Sequence, residues 1–140
     1  GCSDQLSQEI TEPTTLTVSV LNKNDITCFG GNNGSITIQA NGGVQAYTYG
    51  INLAEQTNEP IFSTLAAGDY SLHVYDANNC YATVSETLVQ PSPIEISFED
   101  IEPAFCDDPR GSASAIATGG VMNYTYQWRN FANEVFDEDN

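Results

Sequence analysis

Positive charge is nearly absent from this sequence. Its 140 residues include only Lys23, Arg110 and Arg129 as fixed cations, against 19 acidic residues, for a net charge of −16. So acidic a surface repels the phosphates of nucleic acid and of anionic membranes, and neither is an expected partner. Long apolar runs are also missing. No stretch approaches the ~18 residues needed to span a bilayer, so direct membrane insertion is not expected, and no basic segment followed by an apolar one marks a targeting signal in this piece. No segment shows helical periodicity, which leaves strands and turns as the building material. There is one histidine, His73, and neither a CxxC pair nor a Cys/His metal spacing occurs.

What is present is regular. Leu16, Val18 and Val20 alternate with Thr15, Thr17 and Ser19 as a first strand, and Ile26 and Cys28 keep the same parity beyond an interruption at 22–25. The turn Gly30–Gly34 contains Asn33-Gly34, a strong hairpin dipeptide. A strand with Ile36, Ile38 and Ala40 inward follows, then a turn at Asn41-Gly-Gly43, then a strand with Tyr47, Tyr49 and Ile51 on the core side. Residues 52–60 hold at most a short, weak strand, and further strands are expected at 61–65, 69–76 and 81–90. Leu65, Gly68 and Tyr70 have the spacing of a tyrosine corner, which predicts Tyr70 largely buried with its hydroxyl bonded back to the chain near 65–68. Strands this short and evenly spaced indicate an all-β sandwich of immunoglobulin or fibronectin-III type.

The pattern then repeats. Cys2 and Cys80, Pro13 and Pro91, and Cys28 and Cys106 are each 78 residues apart. Gly34-Ser35 recurs as Gly111-Ser112, Gly42-Gly43 as Gly119-Gly120, and Tyr47-Thr-Tyr49 as Tyr124-Thr-Tyr126, all at a spacing of 77. A period this long marks tandem units. The chain is accordingly expected to hold the last strand of one copy at 1–12, a complete copy at 13–91 and the start of a third at 92–140. Gly1-Cys2 is then the counterpart of Asn79-Cys80, which explains it without a lipid anchor.

Cys28-x-Gly-x-x-x-Gly34-Ser-Ile-Thr-Ile, Gly42-Gly43, Tyr47-x-Tyr49, Leu65-x-x-Gly68-x-Tyr70 and Asp76-x-x-x-Cys80 with Gln90-Pro91 resemble, taken together, the SprB-type repeats of Bacteroidota cell-surface adhesins. The resemblance implies tandem copies on a secreted bacterial surface protein, gliding-motility adhesins exported by the type IX system among them, and no catalysis. The third copy departs from the pattern at Cys106-Asp-Asp-Pro-Arg-Gly111 and in the acidic stretch after Trp128.

Little in the sequence offers chemistry. His73 falls on the outward face of its strand, an exposed polar position with no nucleophile to serve. Glu99 with Asp100, or Glu134 with Asp137, would need a deep cleft to act as a paired acid and base, and a sandwich this small has little room for one. No enzyme and no cofactor is expected. A Ca²⁺ site is the better rival, with Asp76, Asn78 and Asn79 in one turn. The competing reading is a positive-φ turn in which these residues cap their own backbone. Asp137-Glu138-Asp139 reads as a solvated loop. Asn33-Gly-Ser35 and Asn123-Tyr-Thr125 are glycosylation sequons, discounted in the bacterial setting that the resemblance implies. Most aromatics fall on core positions, Trp128 included, leaving Tyr75 and Tyr81 as surface contacts for a sugar.

Two functions remain open. The first is a stalk or filament repeat of a large secreted adhesin, giving reach and stiffness, whose partners are the neighbouring repeats. The second is a Ca²⁺-assisted carbohydrate-binding module for surface polysaccharide. The repeated residues are glycines, turn formers, cysteines and core positions, among them Gly34, Gly68, Tyr70 and the cysteines at 2, 28, 80 and 106, which favours the first. Four cysteines in a Thr/Ser/Asn-rich β chain suggest an oxidising, extracellular setting. Their pairing is open as well. A Cys28–Cys80 bridge would make each copy self-sufficient. End-to-end copies, however, require an odd number of strands, which puts those cysteines at opposite ends, about 17–20 Å apart, where a disulfide needs Cα atoms within about 7 Å. That geometry leans toward bridges that cross each junction.

Overall fold

A computed structural model describes residues 4, 6–52, 54, 56–106 and 111–139, with the side chains of 136–139 left aside. Alternating apolar and polar residues, broken by glycine and asparagine turns, produce ten strands and no helix among the described residues. Six of them form a sandwich within residues 13–91. One sheet has β1 (Thr17–Asn24), β2 (Gly34–Asn41) and β4 (Ile61–Leu65) in the order β1-β2-β4; the other has β3 (Thr48–Ile51), β5 (Gly68–Tyr75) and β6 (Tyr81–Leu88) in the order β3-β5-β6. All pairings are antiparallel. The expected immunoglobulin-like all-β sandwich is what forms.

Side-chain alternation turns one face of each sheet inward. Ile36 and Ile38 of β2 and Phe62 of β4 meet Leu72 of β5 and Leu88 of β6, with Ile26 closing one end. Ile36, Leu72 and Val74 are fully buried. Every buried residue among those described lies between Ile26 and Leu88, so the core is complete within residues 13–91. Lys23 links the two sheets at their margin, its Nζ 3.0 Å from Glu86 and 3.0 Å from the Thr87 carbonyl. That contact with Glu86 raises the lysine's pKa and lowers the carboxylate's.

Among its described residues the return segment 52–60 makes an isolated bridge, Thr57 with Tyr49, in place of a short strand. Even so, it carries the chain back across the sandwich, so the copy makes an odd number of passes. The chain enters at one pole and leaves at the other.

Residues 92–140 repeat the beginning of this plan. β7 (Glu95–Glu102) pairs with β8 (Ser112–Thr118), and β9 (Tyr126–Arg129) with β10 (Val135–Asp139). The acidic run 137–139, read from the sequence as a loop, is therefore a strand. Phe98 and Trp128 join the two ribbons, ring centroids 6.0 Å apart, and the Ala117 N–H donates to the Tyr126 hydroxyl at 3.0 Å. The stretch expected to be the last strand of a preceding copy forms no strand over its described residues, which pair with no neighbour.

Candidate functional site

Most of the repeated residues that the structure describes gather at the two poles. At the entry pole Gly42 and Gly43 turn the chain with φ of 76° and 64°, and the Gly43 N–H donates to the Thr14 carbonyl at 2.8 Å. A Cβ on Gly42 would run into the Thr15 carbonyl group, so only glycine fits there. The Tyr47 hydroxyl donates to the Gly42 carbonyl at 2.6 Å. Asp76 fastens a second turn onto this one. It is 5% exposed. Its Oδ2 accepts from the Val44 N–H at 3.0 Å, and its Oδ1 accepts from the N–H groups of Asn78 and Cys80, each at 2.9 Å. The bond from Val44 above all, and then those from Cys80 and Asn78, hold the carboxyl below its ordinary pKa against the opposing effect of burial.

This is the capped turn that competed with the Ca²⁺ reading. Asn79 has φ of 61°, and both Asp76 oxygens face backbone donors. Asn78 and Asn79 are exposed. Among the described residues no three His, Cys, Asp or Glu side chains converge as metal ligands do. Cys80 ends the turn, exposed, its carbonyl accepting from the Asp76 N–H at 3.0 Å.

The exit pole is built around the end of β6. The Ile26 N–H donates to the Val89 carbonyl at 3.0 Å, the Val89 N–H to Asp25 Oδ1 at 3.0 Å, and the Gly30 N–H to Gln90 Oε1 at 2.8 Å. Gly34 sits where a Cβ would meet Leu88 Cδ1 at 2.8 Å and the Leu65 carbonyl at 2.9 Å. Tyr70 forms the predicted corner, its hydroxyl donating to the Ala66 carbonyl at 2.9 Å. Its ring is half-buried rather than largely buried, because it packs at the margin of the core rather than within it. Gly68 opens β5 opposite Leu88, with no atom near its missing side chain.

Cys28 lies in the same loop, two residues from Gly30, and is exposed. The parity carried from β1 had placed it inward. The tight turn from Cys28 to Gly31 ends that parity after Ile26. Cys106 is exposed too, no described cysteine is bonded to another, and Cys2 lies outside the described residues. His73 is half-buried, not exposed; its Nε2 lies 2.7 Å from the Asn52 carbonyl, to which it donates. Tyr75 and Tyr81 form a tilted pair, centroids 6.0 Å apart, and Tyr81 is 69% exposed while Tyr75 is half-buried.

The entry turn recurs in the second unit. The Gly120 N–H donates to the Ser92 carbonyl at 2.9 Å, as Gly43 does to Thr14, and the Tyr124 hydroxyl donates to the Gly119 carbonyl, as Tyr47 does to Gly42. Asn123 takes φ of 86° where Ala46 takes 82°. Only Pro91 therefore separates Gln90, held by the exit pole of one unit, from Ser92, held by the entry turn of the next.

The fold is an antiparallel β-sandwich whose entry turn is rebuilt 77 residues later, from Gly42-Gly43 to Gly119-Gly120. Residues 20–53 and 99–133 match the family model of the SprB repeat. The chain carries SprB-type repeats, which are typical of cell-surface proteins. No match is found among curated proteins or among solved structures. No helix among the described residues is long and apolar enough to cross a membrane.

Proposed function

We propose that the chain is a structural segment of the stalk or filament of a large secreted adhesin on the bacterial surface, without catalysis, giving reach and stiffness to gliding or attachment. The observation that carries this reading is the joint. One proline, with its φ fixed, lies between two residues each hydrogen-bonded to a different unit, so few free torsions are left at the joint. The net charge of −16 adds repulsion that keeps neighbouring shafts apart. Small-angle scattering of head-to-tail series of residues 13–91 tests the reading. The maximum dimension should grow in proportion to copy number; a bead string, growing with about the square root of length, overturns it.

The exposed ring of Tyr81 beside the Asp76 turn keeps a second reading in view, a module that binds surface polysaccharide, with Ca²⁺ assisting. A polysaccharide pull-down with and without chelator separates the two. Retention that is lost in a Tyr81→Ala variant favours the module over the spacer.

A further inference from the structure

Each complete copy presents one exposed cysteine at each pole, and the geometry points to a disulfide that crosses the joint, from Cys28 of one copy to the Cys80 position of the copy that follows. This rests on the end-to-end reading above. Within one copy the two thiols cannot meet: Cys28 lies at the end of β6 and Cys80 immediately before its start. Eight residues of strand span roughly 25 Å, whereas bonded cysteines need Cα atoms within about 7 Å. Across a joint the situation reverses. Cys28 is two residues from Gly30, which holds Gln90. Cys80 is bonded to Asp76, which holds Val44, next to the Gly43 that holds Thr14. In the next unit Gly120 holds Ser92 in the same way, and Ser92 is two residues beyond Gln90. Two residues of chain reach about 7 Å, so the joint brings the Cys28 loop of one copy against the turn that carries the other cysteine in the next.

The step needs an oxidant, and a small-molecule disulfide such as oxidised glutathione serves. One cysteine thiolate attacks it and releases one glutathione thiolate. The second cysteine thiolate attacks the mixed disulfide and releases the other. Two protons and two electrons leave the protein and reduce one glutathione disulfide to two thiols.

Because the core is complete within residues 13–91, a tandem of 13–91 followed by 14–91 keeps the natural period and supplies both partners. Two double variants separate the pairings. Cys28→Ser in the second copy with Cys80→Ser in the first leaves only the joint pair; the opposite combination leaves only the cysteines at the far ends. In a glutathione redox buffer the joint pair should lose both reactive thiols and stay monomeric on non-reducing gels, while the far pair keeps both. Peptide mapping of the unsubstituted oxidised tandem should find the same cross-copy linkage. A Cys28–Cys80 link inside one copy overturns the inference. So do thiols of the joint pair that stay free while the reduced tandem still scatters as a rod, and that result leaves the end-to-end reading standing. Scattering from a folded-back or flexible tandem overturns both.

Discussion

Residues 13–91 and 92–140 begin with the same turns and strands, and the buried side chains among the described residues all lie in the first. β1 and β7 each span eight residues, and both units close the Gly-Gly turn onto the chain a few residues before their first strand. Val18 and Val20 are half-buried against the core, whereas their counterparts Ile96 and Phe98 are 62% and 58% exposed. The hydrogen bonds of the entry turn and first hairpin thus depend on local sequence. Burial depends on β4, β5 and β6, which supply the opposing Phe62, Leu72 and Leu88. The units also differ in residues. Ile36 and Ile38 are replaced by Ala113 and Ala115, so the second hairpin offers less apolar surface at the same positions.

That contrast is sharpest for substitutions in the core. Leu72→Ala should lower the stability of the first unit by about 2–5 kcal/mol, the usual cost of a buried leucine, while Ile96→Ala, at an exposed position, should change it by less than about 0.5 kcal/mol. Urea unfolding followed by tryptophan-independent far-ultraviolet dichroism would measure both, and equal losses would break the distinction. Gly42→Ala should cost about 1–3 kcal/mol, because the residue is held at positive φ against the Thr15 carbonyl. Gly119→Ala should open the corresponding turn, seen as faster amide exchange at Gly120, and leave the unfolding midpoint of the first unit unchanged.

Acid offers a subtler test. The Asp76 pKa is lower in the folded protein than its ordinary value of 3.8. Its contribution is therefore fully present above about pH 4 and is lost as pH falls through the folded value. Asp76→Asn should lower stability at neutral pH and flatten the acid limb relative to the parent, in matched urea titrations across pH 2–6; parallel curves would show that the carboxylate contributes nothing ionic. The smallest effect is expected at the corner, where Tyr70→Phe removes one hydrogen bond worth about 1 kcal/mol. The same denaturation series resolves it.

The legible parts of this fold are those in which neighbours in sequence are neighbours in space. The strand at 61–65 and the tyrosine corner follow from alternation and a four-residue spacing, and the structure has both. The capped Asp76 turn was readable for the same reason, but its attachment to Val44, 32 residues away, was not. Cys28 was misplaced because the parity count ran on into the turn from Cys28 to Gly31, where alternation ends. The strand at 135–139 was hidden by its charges. The half-buried His73 owes its position to a carbonyl contributed by the loop at Asn52, another partner remote in sequence.

In the proposed stalk, the opposed poles also decide how load is carried. Tension along consecutive copies pulls β1 toward its beginning at the entry pole and β6 toward its end at the exit pole. The hydrogen bonds of β1 to β2 and of β6 to β5 run across that direction, so they are strained together in shear rather than opened one after another like a zip. Neither terminal strand can leave its sheet without breaking its whole ladder at once.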